Sequence, residues 1–435
     1  MKHSAVFARR AVFGACLSLC AGLAGAQTTN GVTLYGLADV GITSVSGLKA
    51  GTVTQLSSGI MEGSRWGLKG TEDLGGGYKA IFTLESRVEL DTGATSNRPI
   101  SGSQLSDRFS QPALLGLPPD AALGLPAGTM QRIVSGVDGL LANEYGVNVG
   151  ASGGRIFDRQ AFVGLITPVG AVLAGRQYTP AFETNSIYDI MGTQSGLAAG
   201  QIVAFPAVLE IRASNALSYR VVKGGFSGSA MLGLGESDSN AKGRLLGLNA
   251  HYKTKAFSVG FGYNTKNNEK GDKSLTTAVL GASAFFGADT LSAMAIKITD
   301  DNPNGFSAIA PGLMAPPLNV PGALANLVQS AFINAFKQDG TLLHLGYRHV
   351  TGPHTISVAY TTYDDKRPAN ADVASYGAAY TYALSKRTDL NAVWVHYDNK
   401  NLAQVAPGGN GYIGGVTASA GTSSTQLALG VRHRF

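Results

Sequence analysis

The residue types that carry catalysis are sparse and poorly spaced in this chain. Its seven histidines include no H-E-x-x-H pair, so zinc hydrolysis has no ligand set to build on. One G-x-S-x-G string, centred on Ser152, lies in a glycine-rich stretch without the strand-to-helix turn that a nucleophile elbow requires. No P-loop ending in Lys-Ser or Lys-Thr occurs either. We therefore expect no enzyme, no metal and no other cofactor.

A passive channel needs a different chemistry, namely charge and hydrogen-bonding groups along a water-filled path. Arg65 meets that need on local grounds, because Arg65 and Lys69 alternate with Trp66 and Leu68 and so occupy the opposite face of a strand. A strand with one cationic face and one apolar face suits a wall between water and lipid. The other elements of the chain have to supply the rest of that wall.

The first 26 residues are typical of a secretory signal. A basic end precedes an apolar stretch at 11–23 and a small-residue cleavage site. That stretch is shorter than the roughly 20 residues of a membrane-spanning helix. Cys16 and Cys20 leave with it, so the mature chain, 27–435, is expected to contain no thiol, disulfide or thiolate metal site.

Composition narrows the class of protein. Charged residues make up 14% of the 435 residues, well below the roughly 25% of soluble domains, while 44% are hydrophobic. The net charge of +6 is mild and dispersed, so we expect no nucleic-acid partner. Beyond residue 26 no unbroken apolar run reaches about 18 residues, which excludes a helical membrane protein.

The apolar residues instead alternate with polar or small ones, as in half-buried strands. Clear examples are the segments 32–42, 78–85, 257–261, 355–361 and 427–432. Tight connections are predicted at 73–77, 167–170, 223–225, 253–255, 287–289, 351–353 and 385–387. Longer polar stretches are predicted at 236–242, 266–272, 300–340, 365–372 and 399–423. This rhythm predicts an all-β, sixteen-stranded transmembrane antiparallel barrel with short periplasmic turns and long external loops.

An exported β-sandwich or β-helix would also alternate, but it would not need aromatic residues at strand ends. Nine aromatic side chains lie at or near predicted strand ends: Tyr35, Tyr78, Tyr219, Phe226, Tyr252, Tyr263, Phe285, Tyr397 and Phe435. The last strand alternates Leu427, Leu429 and Val431 with small or basic residues and finishes on Phe435. These features favour the barrel.

The sequence also resembles the general bacterial porin family of trimeric Gram-negative outer-membrane channels. The resemblance extends along the mature chain and is most specific where SRWGLKG runs into EDLGGG. The matching segments are 31–42, 64–86, 155–165, 175–180, 212–219 and 430–435. It implies a homotrimer in the outer membrane, in contact with lipid and lipopolysaccharide, with a third loop folded into the barrel. It also implies that Phe435 is the signal for the outer-membrane assembly machinery.

The resemblance further implies a constriction with one basic and one acidic side. The arginines carried over from the matching motifs are Arg65, Arg159, Arg176 and Arg212. The third loop, expected at 178–210, offers Glu183 and Asp189 as the acidic side. For each of these residues the alternative is a merely solvated charge. The function implied is passive diffusion of small hydrophilic solutes, with a weak anion preference if the arginines converge.

One segment departs from the family. Residues 91–154 stand where the family has a short second loop, and we call this segment the insert. It is expected to fold as a surface loop with a short helix, or else to act as a cap or as a clasp on a neighbouring subunit. Residues 323–336 also have helical apolar spacing and are expected to be loop structure. The alternative function is a barrel without a channel, either adhesive or structural, or a lipid-hydrolysing enzyme.

Overall fold

The computed structural model describes residues 30–95, 105–144, 155–203, 210–235, 238–239, 241–408 and 415–435. The predicted signal at 1–26 and the string around Ser152 lie outside the described residues. Of the helices in those ranges, none combines the length and the apolar character needed to cross a bilayer.

Seventeen strand segments form one antiparallel sheet, which closes on itself because β1 pairs with β17. The segments are β1 (Gly31–Leu48), β2 (Gly51–Ser58), β3 (Arg65–Gly75), β4 (Tyr78–Arg87), β5 (Gln160–Thr167), β6 (Gly170–Tyr178), β7 (Arg212–Lys223), β8 (Phe226–Gly233), β9 (Leu245–Lys253), β10 (Phe257–Asn267), β11 (Lys273–Phe286), β12 (Asp289–Asp300), β13 (Gln338–Thr351), β14 (His354–Asp365), β15 (Val373–Ala383), β16 (Thr388–Asn399) and β17 (Ser424–Arg434). The helices are α1 (Asp107–Ser110), α2 (Thr129–Glu144), α3 (Pro180–Tyr188), α4 (Ile309–Met314) and α5 (Gly322–Phe336).

The seventeen segments occupy sixteen positions around the barrel. The C-terminal half of β1 pairs with β2, and its N-terminal half pairs with β3. β2 and β3 are therefore two parts of one strand that is interrupted at 59–64. The carboxylate of Asp39, which is 1% exposed, accepts hydrogen bonds from the backbone N–H groups of Ile60 (3.2 Å), Met61 (2.9 Å) and Glu62 (2.7 Å). The sixteen-stranded barrel is therefore confirmed, with one strand broken around a buried carboxylate.

The faces of the strands alternate as predicted. Along β9 the exposed Leu246 and Leu248 point away from the barrel, while Asn249 and His251 are buried inside it. The outer face is thus apolar and the inner face polar, which is the arrangement that lipid outside and water inside require. The seven predicted tight connections all join consecutive strands, and the predicted longer stretches supply connections on the opposite rim.

The third loop (179–211), between β6 and β7, folds into the barrel as expected. Its helix α3 lies directly on the inner wall, where four positions carry no side chain: Gly247, Gly260, Gly262 and Gly281. A Cβ atom on Gly262 would overlap Thr184, and one on Gly281 would overlap Tyr188. Glycine at these positions gives the helix room to approach the sheet closely.

Beyond α3 the third loop crosses the inside of the barrel toward the interrupted strand. The backbone N–H of Ile190 donates to Nε2 of His344 (3.2 Å) on β13, and the Tyr397 hydroxyl on β16 donates to the carbonyl of Gly196 (2.7 Å). The N–H of Ser195 then donates to the Met61 carbonyl (2.9 Å), within the strand break. The loop therefore runs inside the barrel from the wall at β9–β11, past β13 and β16, to the strand break.

Part of the insert forms α1 and α2, and the sixth loop (301–337) forms α4 and α5. The helix predicted at 323–336 is present as α5. These helices enclose a separate apolar core that contains Phe109, Val134, Phe306 and Phe332. The barrel thus carries a small helical layer on its loop side.

Candidate channel constriction

Two of the predicted arginines meet at one tyrosine. Arg159, immediately before β5, donates through Nη2 to the hydroxyl of Tyr178 (3.0 Å) and through Nε to Oε1 of Glu85 (2.7 Å). Arg212, the first residue of β7, donates to the same hydroxyl (3.2 Å), and its guanidinium lies 4.7 Å from the centre of the Tyr178 ring. Tyr178 ends β6, so three consecutive strands bring these groups together.

Arg65 joins this group from β3. The register pairs Arg65 with Arg87 and Gly67 with Glu85, so all four point to one face of the sheet. Glu85 accepts a hydrogen bond from the Tyr35 hydroxyl (3.1 Å) besides that from Arg159, while Arg65 itself pairs with Oε1 of Glu62 (2.7 Å). Arg65, Arg159 and Arg212 therefore surround Glu85 on one side of the lumen.

A second group of charges extends this arrangement toward the C-terminus. Oε2 of Glu62 accepts from Arg432 (2.9 Å) and Arg434 (3.1 Å) on β17. Both arginines also pair with Asp389 on β16, at 3.0 and 2.9 Å. Gln194, at the tip of the third loop, accepts from Arg432 (3.2 Å). Alternating arginines and carboxylates thus run from β7 round to β16, and the third loop contacts them.

Arg176 contacts a different set of partners from the other predicted arginines. Its Nε donates to the Asp158 carbonyl (2.6 Å) and its Nη1 to Oγ of Ser214 (2.8 Å). The pairing of β6 with β7 shifts between Gly175 and Gln177, which brings Ser214 within reach.

The two predicted acidic residues are held by other partners. Glu183 on α3 pairs with Arg220 on β7 (2.6 Å) and accepts from the Asn249 amide (3.1 Å), so it fixes the helix to the wall. The carboxylate of Asp189 turns back into its own loop. It accepts from the backbone N–H groups of Met191 (3.0 Å), Thr193 (3.0 Å) and Ala199 (3.2 Å). Neither contact set includes the arginines around Glu85.

Known proteins resemble this chain over most of its length. A family model described as Gram-negative porin matches residues 12–402. The chain belongs to the Gram-negative porin family. It is 24% identical to an outer membrane porin protein of Bordetella pertussis and 25% identical to outer membrane porin protein 32 of Delftia acidovorans, each over 96% of this chain and 98% of the relative.

Solved structures agree on the fold of this porin. An anion-selective porin from Comamonas acidovorans superposes with a TM-score of 0.63 at 23% identity, over 94% of this chain and all of that one. OmpT of Vibrio cholerae superposes with a TM-score of 0.57 at 12% identity, over 94% of this chain and 99% of that chain. The protein is an integral β-barrel channel of the Gram-negative outer membrane.

Several charged residues of this porin's lumen escaped the sequence prediction. Glu85 and Arg432 each lie on the polar face of an alternating strand, so the alternation in the sequence could have identified both as residues that face the lumen. Glu62 has no such signal because it lies in the irregular segment 59–64, which is shaped by the distant Asp39. Among the residues described, no group of three or more His, Cys, Asp or Glu side chains is arranged to hold a metal ion.

Proposed function

We propose that this porin admits small hydrophilic solutes and ions by passive diffusion and weakly prefers anions. The convergence of Arg65, Arg159 and Arg212 on one side of the lumen carries the proposal. Fixed positive charges in a narrow, water-filled passage lower the barrier for anions and raise it for cations. The similar porin from Comamonas acidovorans is anion-selective, which agrees with this direction.

The preference is expected to be weak because carboxylates alternate with the arginines. Glu85 lies 2.7 Å from Arg159, and Glu62 lies 2.7 Å from Arg65, so each offsets part of the positive field. In this proposal Glu62 and Glu85 are the acidic groups nearest the basic wall. A role for Arg176, Glu183 and Asp189 in selectivity stays a prediction, and the contacts described above favour structural roles for them.

We further propose that the channel is a homotrimer that contacts lipid and lipopolysaccharide. A trimer form is recorded for OmpT of Vibrio cholerae. Phe435 is 50% exposed beyond β17, whose outer face carries the exposed Leu427 and Leu429. An apolar strand ending on an accessible aromatic ring supports its role as the signal for the outer-membrane assembly machinery. We propose no enzymatic activity and no cofactor for the chain.

The test is the reversal potential of single channels in a salt gradient. The double variant Arg65→Ala/Arg212→Ala removes two cations from the proposed wall, so the reversal potential should move from the anion side toward zero. Arg132→Ala is the matched control, because Arg132 is an exposed arginine of α2 whose Nη2 bonds Thr129 of the same helix. An unchanged reversal potential in the double variant would refute the assignment of the basic wall.

A further inference from the structure

The insert and the sixth loop start from opposite walls of the barrel. The insert lies between β4 and β5, and the sixth loop joins β12 to β13. If β2 and β3 are counted as one strand, the closed barrel has sixteen strand positions. β4 and β5 are the third and fourth of these positions, and β12 and β13 are the eleventh and twelfth. Eight positions are half the circumference, so the loops begin as far apart as the barrel allows.

Despite that separation, the helices of these two loops share one apolar core. Phe109 of α1 and Phe332 of α5 are fully buried, and the Phe109 ring centre lies 4.4 Å from that of Phe336. Val134 of α2 is also fully buried in this core, and Phe306 contributes a ring 4.7 Å from Phe336. A core shared by loops that start on opposite walls connects those walls on the loop side of the barrel. We call residues 105–138 and 306–336 the roof.

Polar contacts tie the roof to the rim at further points. The backbone N–H of Asp107 donates to Oε1 of Gln404, between β16 and β17 (2.6 Å), and its carboxylate pairs with Lys49, between β1 and β2 (2.8 Å). The next residue, Arg108, pairs with Asp365 at the end of β14 (3.5 Å), where both side chains are largely buried. One short helix therefore contacts three neighbouring connections along the arc of the rim from β14 to β2, which holds the roof in place.

We propose that the roof is a size filter for solutes, placed in series with the constriction. Solutes reach the arginines through the openings that the roof leaves at the rim, and those too large for these openings are rejected before they meet the charged wall. The inference rests on the proposed diffusion function. It assigns solute size to the roof and solute charge to the arginines, so the two properties should change independently.

The experiment measures single-channel conductance and the swelling of liposomes in sugars of increasing size. One variant replaces residues 105–144 with a short Gly-Ser linker, and a second, Phe109→Ala, removes one ring from the roof core. Both should admit larger sugars. Conductance should rise by up to about twofold, because removing one of two comparable resistances in series can at most halve the total. The reversal potential should stay at the wild-type value.

Phe261→Ala is the matched control, since it also removes one ring but Phe261 is 39% exposed on the outer face of β10, and it should leave the size limit unchanged. Each variant is first checked for the heat-modifiable mobility of a folded barrel. If the linker variant does not fold, Phe109→Ala decides the question, because it keeps every strand and loop length. A folded variant with an unchanged size limit overturns the filter and leaves the diffusion function intact. A wild-type protein that does not conduct overturns the diffusion function itself.

Discussion

The third loop and the roof both obstruct the channel, but the barrel holds them in different ways. The third loop packs against the wall, and its core includes the strand residues Val279, Ile296 and Leu342. The roof core is drawn from the insert and the sixth loop, with Phe109 and Phe332 at its centre. The third loop is therefore part of the barrel's own core, whereas the roof is a separate layer with its own core. Damage to the first should disturb the barrel, and damage to the second should not.

The largest effect on stability is expected where helix α3 of the third loop packs against the barrel wall. Gly281→Ala would place a methyl group into the ring of Tyr188, and overpacking of this kind costs about 1–3 kcal/mol. The variant should lose its folded gel mobility at a lower temperature and should conduct with more current noise. Gly31→Ala is the control, because a Cβ there meets nothing within 4 Å. Equal unfolding temperatures for the two variants would contradict the claim that the wall holds the loop.

A change of pH is expected to have a smaller effect, which is limited to the stability of the roof. Burial raises the pKa of Asp138 on α2 to about 7, and within the described residues its Oδ1 has no hydrogen-bond partner. Because the folded pKa lies above the ordinary value of 3.8, the folded roof binds more protons than the unfolded one between these values. The stability of the roof should therefore fall as the pH rises from about 4 to about 7.

Limited proteolysis of the folded porin at pH 5 and pH 8 measures this dependence. Cleavage within the insert should be faster at pH 8, while the heat stability of the barrel stays constant. Asp138→Asn cannot titrate and should reduce the difference between the two pH values. A difference that persists unchanged in Asp138→Asn would assign the pH dependence to another group.

The smallest effect is expected at the rim. Lys49 lies 2.8 Å from Asp107, but its side chain is 43% exposed, and such pairs contribute about 0.2–1 kcal/mol. Lys49→Ala should speed proteolysis of the insert slightly at low salt and have no effect at high salt, where the pair is screened. A loss of protection as large as that in Phe109→Ala would mean that the roof depends on its rim contacts rather than on its core.

Much of the barrel could be predicted because each strand carries its own pattern. Alternation within β9 or β17 is local, and the tight connections are marked by glycine, proline and charged residues in the sequence. The break at 59–64 could not be predicted, since it depends on Asp39, more than twenty positions earlier. A short helix was expected in the insert, but nothing in its sequence identified the sixth loop as its packing partner.

The constriction was predictable only where a residue lies on a regular strand. Arg65 alternates cleanly with Trp66 and was assigned correctly to the polar face of its strand. Arg176 was carried over from a motif and stays a prediction, because the pairing of β6 with β7 shifts beside it and alternation does not fix the face that its side chain takes. The partners of Glu183 and Asp189 depend on the path of the third loop, which has no periodic pattern to indicate it.

The broken strand also bears on how long an ion stays in the channel. By binding three consecutive backbone N–H groups, Asp39 turns Glu62 toward Arg65, Arg432 and Arg434. Without that counter-charge, a cluster of permanent cations would hold a passing anion tightly and delay its release. Conduction requires sites that attract an ion and also let it go. In the proposed channel, the interruption of one strand should therefore shorten the dwell time of anions and help to keep the flux high.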